Sequence, residues 1–324
     1  MSTNATTTLD APLVVILGPT ASGKTALAIH LGQRFFGEIL SCDSVAVYRG
    51  FEAGTAKPSL DDRTRVRHHF IDVVDPGEAF TAGEYARQAR AALADITRRG
   101  HLPIVVGGTG LYLRALLEGL FPGPHRSPQL RQRLRSRAER RGAVYLHRIL
   151  QRLDPKSAAH IHPNDQPKLI RAIEVCLATR GPISELWQQQ GRNPLRGFRI
   201  LRIGLNPPRK QLYDRINRRA AQMFRDGLVA ETQSLRERFG DGREITALRS
   251  LGYQQALEHL RAKLSLDQAI AAAQQGHRNY AKRQMTWFRR EPDVLWLEGF
   301  GDDPAIRRRA IAMVSDLLDG LSTG

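Results

Sequence analysis

Residues 18–25 read Gly18-Pro19-Thr20-Ala21-Ser22-Gly23-Lys24-Thr25 and match the template G-x-x-x-x-G-K-[ST] at every fixed position. Just before them, Leu13 to Leu17 is an unbroken apolar run, as expected of a buried strand. Just after them, Leu27, Ala28 and Leu31 recur at helical spacing. Strand, glycine loop and helix together are the context in which this motif binds phosphate. Backbone N–H groups of the loop and of the helix N-terminus point at an anion, Lys24 adds a mobile positive charge, and the Thr25 hydroxyl can hold Mg2+. A turn that merely starts a helix is the plain alternative, and the full set of residues argues against it. The motif leaves the identity of the phosphate compound open.

The chain has 324 residues, enough for about two domains. Hydrophobic residues make up 41% and charged residues 25%, which reads as globular rather than disordered. Met1 to Pro12 is polar and Thr-rich and is expected to be a flexible tail, with neither a basic nor an apolar region of a signal peptide. The longest apolar runs are strand-sized, so no membrane span is expected. Cys42 and Cys176 give neither a disulfide framework nor metal-ligand spacing, and the expected home is a reducing cytoplasm. The formal charge of +17 points either to a polyanionic partner, most simply nucleic acid, or to a general preference for Arg. Placement of the charges has to decide.

Strands and helices alternate through the first third. Strands are expected at 38–41, 69–74 and 103–106, and helices at 80–99 and 111–120. This βαβα pattern predicts a parallel sheet with helices on both faces, whose ligands sit beyond the carboxyl ends of the strands. The phosphate loop, Asp43 and Thr109 each follow a strand, so three stretches converge on one crevice. Phe121-Pro122-Gly123-Pro124 breaks the chain. Residues 126–152 then hold nine Arg and one acidic residue, Glu139. Leu130, Leu134 and Ala138 form an apolar stripe and Arg133, Arg137 and Arg141 another side, as in a basic amphipathic helix. More helix is expected to Arg180, then a polar loop at 191–194 and a strand at 198–205. A helical stretch between strands reads as an insertion. The remainder is expected to be helical at 209–226, 228–238, 248–262, 265–290 and 303–320.

Asp43 at a strand end can hold Mg2+, bind a sugar, serve as a general base, or simply close a turn. Thr109, in Gly107-Gly108-Thr109-Gly110, can present its hydroxyl to the crevice or cap the next helix. Arg215 and Arg219 share a helix face and can clamp a pyrophosphate, or lie on a solvated basic surface. Residues 277–290 carry five Lys or Arg and no acid, interleaved with Tyr280, Trp287 and Phe288. Basic charge with aromatic rings suits RNA whose bases are exposed, unless the rings are core.

Taken together, these stretches resemble the tRNA dimethylallyltransferase (tRNA isopentenyltransferase) family. The matching segments are Gly18–Thr25, Ser41–Pro58 (SCDSVAVYRGFEAGTAKP), Gly107–Tyr112 (GGTGLY), His162–Asp165 (HPND), Arg171–Glu174 (RAIE) and Tyr280–Arg289 (YAKRQMTWFR). The resemblance implies transfer of a dimethylallyl group from dimethylallyl diphosphate to N6 of adenosine 37, beside the tRNA anticodon. It implies that the Gly18–Thr25 loop holds the pyrophosphate, with Mg2+ at Thr25. Asp43 matches the family's general base, Thr109 a threonine near the leaving oxygen, and Arg219, with Arg215, an arginine that neutralises pyrophosphate. Asp43, Ser44, Val45, Ala46, Thr109, Arg131, Pro167, Lys168, Leu169, Ile170, Arg171, Arg249, Lys282, Arg283, Gln284 and Trp287 match positions that touch tRNA.

Two residues depart from the family pattern. Ala46 stands where many members have Gln, and Gln254 where Arg or Lys is usual. Base recognition is therefore expected to draw on other residues. The expected fold is α/β: a P-loop NTPase-like parallel sheet flanked by helices (13–124 and 198–324), a small inserted helical domain (125–197) that contacts tRNA, and a helical C-terminal part. The expected partners are tRNA, through its anticodon stem-loop, and dimethylallyl diphosphate; no membrane partner is expected, and the chain is expected to be a monomer. A P-loop kinase of a small metabolite is the runner-up. It explains residues 18–25 and leaves the basic stretches idle. A non-catalytic RNA-binding ATPase is the third reading and needs no base at Asp43.

Overall fold

The apolar run ahead of the phosphate loop lies in the middle of a six-stranded sheet. The computed structural model describes residues 10–121, 123–124, 126–189, 193–240 and 246–322. Most of the expected N-terminal tail and part of the expected loop at 191–194 lie outside them. The strands are β1 (Ala11–Leu17), β2 (Gly37–Cys42), β3 (His68–His69), β4 (Leu102–Gly107), β5 (Phe198–Leu205) and β6 (Val294–Leu297). All pair in parallel, in the order β3-β2-β4-β1-β5-β6. The helices are α1 (Lys24–Arg34), α2 (Leu60–Arg65), α3 (Ala82–Arg98), α4 (Gly110–Leu117), α5 (Pro128–Arg141), α6 (Ala143–Leu153), α7 (Pro155–His160), α8 (Gln166–Thr179), α9 (Ile183–Gln189), α10 (Arg209–Arg225), α11 (Leu228–Phe239), α12 (Tyr253–Leu260), α13 (Leu266–Phe288) and α14 (Pro304–Ser322).

Two compact units result: Glu118–Pro194, and the rest of the chain on either side of it. The insertion thus begins before 125 and ends before 197. In the α/β unit, β1 shows why its sequence is apolar throughout. Leu13, Val15 and Leu17 pack into the core beneath α3, α4 and the C-terminal helices, while Val14 and Ile16 pack into the opposite core with α1 and α14. A parallel strand covered on both faces has no polar side to show. The order β2-β4-β1 sets three carboxyl ends next to one another, and these carry Asp43, Thr109 and the phosphate loop. Among the described residues no helix is long and apolar enough to cross a membrane.

The helical unit has its own core. Leu134 and Ala138 of α5 are buried with Leu146, Leu150, Leu169 and Ile173, and Leu130 packs against them. The expected single helix over 126–152 is two, because Gly142 adopts φ 80° and turns the chain. The expected strand at 69–74 stops after His69: Phe70 and Asp72 take φ 63° and 57°, outside the extended region. Phe70 instead packs edge-on against Tyr85, ring centroids 5.3 Å apart. The expected helix at 248–262 shortens to α12, preceded by a single 3-10 turn over Thr246–Arg249. Helix α2 and the edge strand β6 were not expected; α2 is held by a reciprocal cap between Ser59 and Asp62.

Candidate active site

The phosphate loop is braced from behind by two helices distant in sequence. Gly23 precedes α1 with φ 85°, and a Cβ there would meet the backbone nitrogen of Gly301 at 2.8 Å, so only glycine fits. The Thr20 N–H donates to Oε1 of Gln284 on α13 at 2.8 Å. Arg219 on α10 donates to the Thr20 hydroxyl, also at 2.8 Å. Lys24 Nζ donates to the Pro19 carbonyl at 2.8 Å. Burial, then the nearby Arg219 charge, pull the Lys24 ammonium down to about 7 against the opposing pull of Asp43. Burial likewise lowers Arg219. Two cations thus share a poorly hydrated place and face one carboxylate. Such a pair suits an anionic ligand.

Beside the loop, Asp43 and Thr109 interlock. Asp43 Oδ1 accepts the N–H groups of Val45 at 2.8 Å and Ala46 at 3.2 Å. The turn reading of Asp43 is therefore correct for one oxygen, and Oδ2 is left for chemistry. The Thr109 hydroxyl accepts the Ser44 N–H at 3.1 Å and lies 3.4 Å from the Ser44 hydroxyl. It therefore does not spend itself on capping α4. The Gly108 carbonyl accepts from the Tyr280 hydroxyl at 3.2 Å and from Gln284 Nε2 at 2.9 Å. Gln284 thus ties the phosphate loop to the loop of Thr109, 176 residues earlier in the chain.

A cavity of about 840 Å3 opens among these pieces. Its wall includes Thr20, Lys24, Thr25, Asp43, Arg215 and Arg219. A second arc of wall is formed by Ser44, Val45, Ala46, Arg249, Arg283 and Gln284. Among the described residues no group of three or more His, Cys, Asp or Glu could hold a metal ion by itself. The oxygen donors Thr25 and Asp43 on the wall form a sparse set, which suits Mg2+, an ion that keeps waters and takes substrate phosphate oxygens.

Several expected contacts take another role. Arg215 is engaged within the fold: it pairs with Asp302 at 2.8 Å and lies 3.7 Å over the Phe300 ring. Gln284 is buried and its amide links Thr20 to Gly108, so it builds the wall of the site. Trp287 lies under Arg114, 4.3 Å from the guanidinium, and Phe288 is core, which corrects the reading of the aromatics as free stacking platforms. In the helical unit Leu169 and Ile170 are buried core, and no ligand reaches their side chains. Arg131 and Arg171 both clasp the buried Glu174, at 2.9 and 2.8 Å, so both guanidiniums are already held within the fold. Burial pushes Glu174 up, but those two arginines and the Ser127 N–H outweigh it and bring the carboxyl to about 2. Pro167, Lys168, Lys282 and Arg283 are exposed.

Sequence reasoning missed how the GTAKP segment is held. Lys57 is buried and donates to the Tyr48 carbonyl, to Glu52 and to Asp72. Glu231 accepts from the N–H groups of Glu52 and Ala53 and from the Tyr253 hydroxyl. No local pattern marks a partner some 179 residues away.

Fold and cavity define a class: a P-loop α/β protein with an inserted helical unit, whose phosphate loop faces a strand-end carboxylate. A model of the family described as "IPP transferase" matches residues 46–291. Over 305 residues the chain is 65% identical to the tRNA dimethylallyltransferase of Koribacter versatilis, covering 94% of this chain and 98% of that protein. It is 54% identical over 307 residues to the tRNA dimethylallyltransferase of Solibacter usitatus, covering 95% and 99%. Among solved structures, the tRNA isopentenylpyrophosphate transferase of Bacillus halodurans superposes with a TM-score of 0.71 at 36% identity, covering 96% of this chain and 98% of that one. A eukaryotic dimethylallyltransferase acting on tRNA gives 0.81 at 28% identity, covering 96% and 80%. The chain belongs to the IPP transferase family.

Proposed function

We propose that this chain is a tRNA dimethylallyltransferase that moves the dimethylallyl group of dimethylallyl diphosphate onto N6 of adenosine 37 in the anticodon loop. One observation carries the reading: Lys24, Arg219 and the phosphate loop line one cavity with the strand-end carboxylate of Asp43. The diphosphate occupies the loop, with N–H groups of Gly23, Lys24 and Thr25, Lys24 Nζ and Arg219 around it. Thr25 would hold Mg2+, which when bound would supply further neutralisation of the diphosphate's charge. As the allylic C–O bond breaks, its electron pair stays on the diphosphate, and the cations favour that state over the ground state. The adenine amine attacks the allylic carbon and Asp43 takes its proton through Oδ2. Thr109 holds Ser44 and with it the turn that aims Asp43. An adenine stacked in a loop has to be extruded to reach such a depth. The exposed basic residues Lys282, Arg283 and Lys168 are suited to the RNA backbone. The chain works as a monomer in the cytoplasm, where its tRNA substrate is found.

The test is mass analysis of tRNA after incubation with dimethylallyl diphosphate and Mg2+. A gain of one C5 prenyl unit at an anticodon-loop adenosine is expected. Release of phosphate from ATP with no gain in tRNA mass would favour the kinase or ATPase reading.

A further inference from the structure

Helix α13 buries one stripe of side chains, Ala269, Ala273, His277, Ala281, Gln284 and Phe288, each three or four residues from the last. This is the spacing of a packed helical face, and half of it is alanine. Two members are polar, and they differ in one respect. Gln284 has partners for its amide within the fold, Thr20 and Gly108. His277 is 8% exposed, and its Nε2 is buried with no hydrogen-bond partner among the described residues. A buried polar atom left unmatched is rare enough to require a reason.

Its place in the fold supplies one. His277 lines the same cavity as Lys24, Asp43 and Arg219. Burial first, and then the Arg219 charge, lower its pKa to about 4. At neutral pH the ring is therefore uncharged and holds a single N–H. Arg219, the charge that acts on it, is a hydrogen-bond donor and cannot accept an Nε2–H. What such a donor lacks is an acceptor of negative character.

We propose that His277 is a further binding and catalytic residue, whose Nε2–H donates to an oxygen of the diphosphate beside Arg219. The inference rests on the reading of this cavity as a diphosphate site. In the reaction the allylic C–O bond breaks and its electron pair stays on the diphosphate oxygen. The N6–C bond forms, the N6 proton goes to Asp43, and His277 keeps its own proton. Because the diphosphate gains charge as the C–O bond breaks, a hydrogen bond from a fixed neutral donor strengthens toward the transition state. A neutral donor also adds this bond without placing a third cation in a site where two already repel.

The experiment uses the full chain with His277→Ala and His277→Gln, inorganic pyrophosphate as a binding probe, and prenyl transfer to tRNA as the activity. Alanine already fills three positions of the stripe, so the helix should keep its packing, and cooperative thermal unfolding checks this. H277A is expected to weaken pyrophosphate binding about 10-fold, the loss of one hydrogen bond to a charged acceptor. It should lower kcat about 10- to 100-fold and leave tRNA affinity unchanged. H277Q, whose amide N–H reaches about as far as Nε2, should recover most of both. Unchanged pyrophosphate binding and kcat in a folded H277A protein would overturn the proposal. A loss confined to tRNA affinity would overturn it too, since the ring would then face the base. If Ala and Gln fail equally, the ring only fills space. If the wild type binds pyrophosphate but transfers no prenyl group, the reaction proposed above falls, and the binding comparison still decides the His277 contact.

Discussion

Glu174 in the helical unit and the Lys24–Arg219 pair in the α/β unit use the same charges to opposite ends. Around Glu174, Arg131, Arg171 and the Ser127 N–H all converge on one buried carboxylate, and the charges close on themselves. In the cavity, Lys24 donates to the Pro19 carbonyl and Arg219 to the Thr20 hydroxyl, with no ion pair to a carboxylate among the described residues, and burial lowers both. A closed cluster makes structure. An open one is a binding site held at some cost in stability, and it recovers that cost when an anion arrives. The distinction also revises which arginines of this very basic chain are free for a partner.

The largest effect should come from the carboxylate of the open cluster. Asp43→Asn keeps an Oδ1 acceptor for the Val45 and Ala46 N–H groups and removes the base. Turnover is expected to fall about 10²- to 10⁴-fold, with both substrates still bound. Single-turnover kinetics and tRNA binding measured on the same preparation check this; near-normal turnover would reduce Asp43 to a turn residue. Arg219→Ala should come next, lowering kcat/KM for dimethylallyl diphosphate about 10²- to 10³-fold by removing a charge aimed at the leaving group. Intact kinetics in that variant would mean that the pyrophosphate is not bound in this cavity.

The closed cluster should respond in stability and not in chemistry. Arg131→Ala removes two of the four hydrogen bonds to the buried Glu174 carboxylate and is expected to cost about 1–3 kcal/mol, read by urea denaturation with unchanged diphosphate kinetics. Acid tests the same cluster. Glu174 is held at about 2, below its ordinary 4.5, so its contribution is complete above about pH 4.5 and is lost as the pH falls toward 2. Glu174→Gln should therefore be less stable at neutral pH and show a flatter acid limb. If the limb is unchanged, the two arginines do not hold Glu174 as ionised as the geometry demands.

How far these roles could be read from sequence depends on the range over which their causes act. The phosphate loop, Asp43 and Thr109 each sit one residue or a few beyond an apolar run, so local pattern placed them at strand ends. The helices with a long periodic stripe, α3, α10 and α13, fall within a few residues of where spacing puts them. What escaped was set by distant partners. Whether Arg131 is free or matched depends on Glu174, 43 residues on. Gln284 reads as an RNA contact in the segment KRQMTW until Thr20 and Gly108 are seen to take its amide. Edge strand β6 has four residues, too few for alternation to stand out. The strand expected through Val74 ended early because Phe70 turned left-handed to pack on Tyr85.

The smallest expected effect is the one that best sharpens the contrast between free and matched charge. Each phosphate of an RNA neutralised by a free Lys or Arg releases a counterion, so log affinity falls with log salt by about 0.7 per contact on single-stranded segments. Lys282 and Arg283 are exposed; Arg283 lies over the Tyr280 ring at 5.8 Å and lines the cavity. Replacing both by Ala should flatten the slope for tRNA by about 0.7 per lost contact. Arg131 lies in the most basic stretch of the chain, yet its guanidinium is fixed on Glu174. Arg131→Ala should leave the slope as it was, at temperatures where the helical unit stays folded. If Arg131→Ala flattens the slope as much as the Lys282 and Arg283 changes do, the Glu174 cluster opens when RNA binds, and the division between closed and open charge does not survive contact with the substrate.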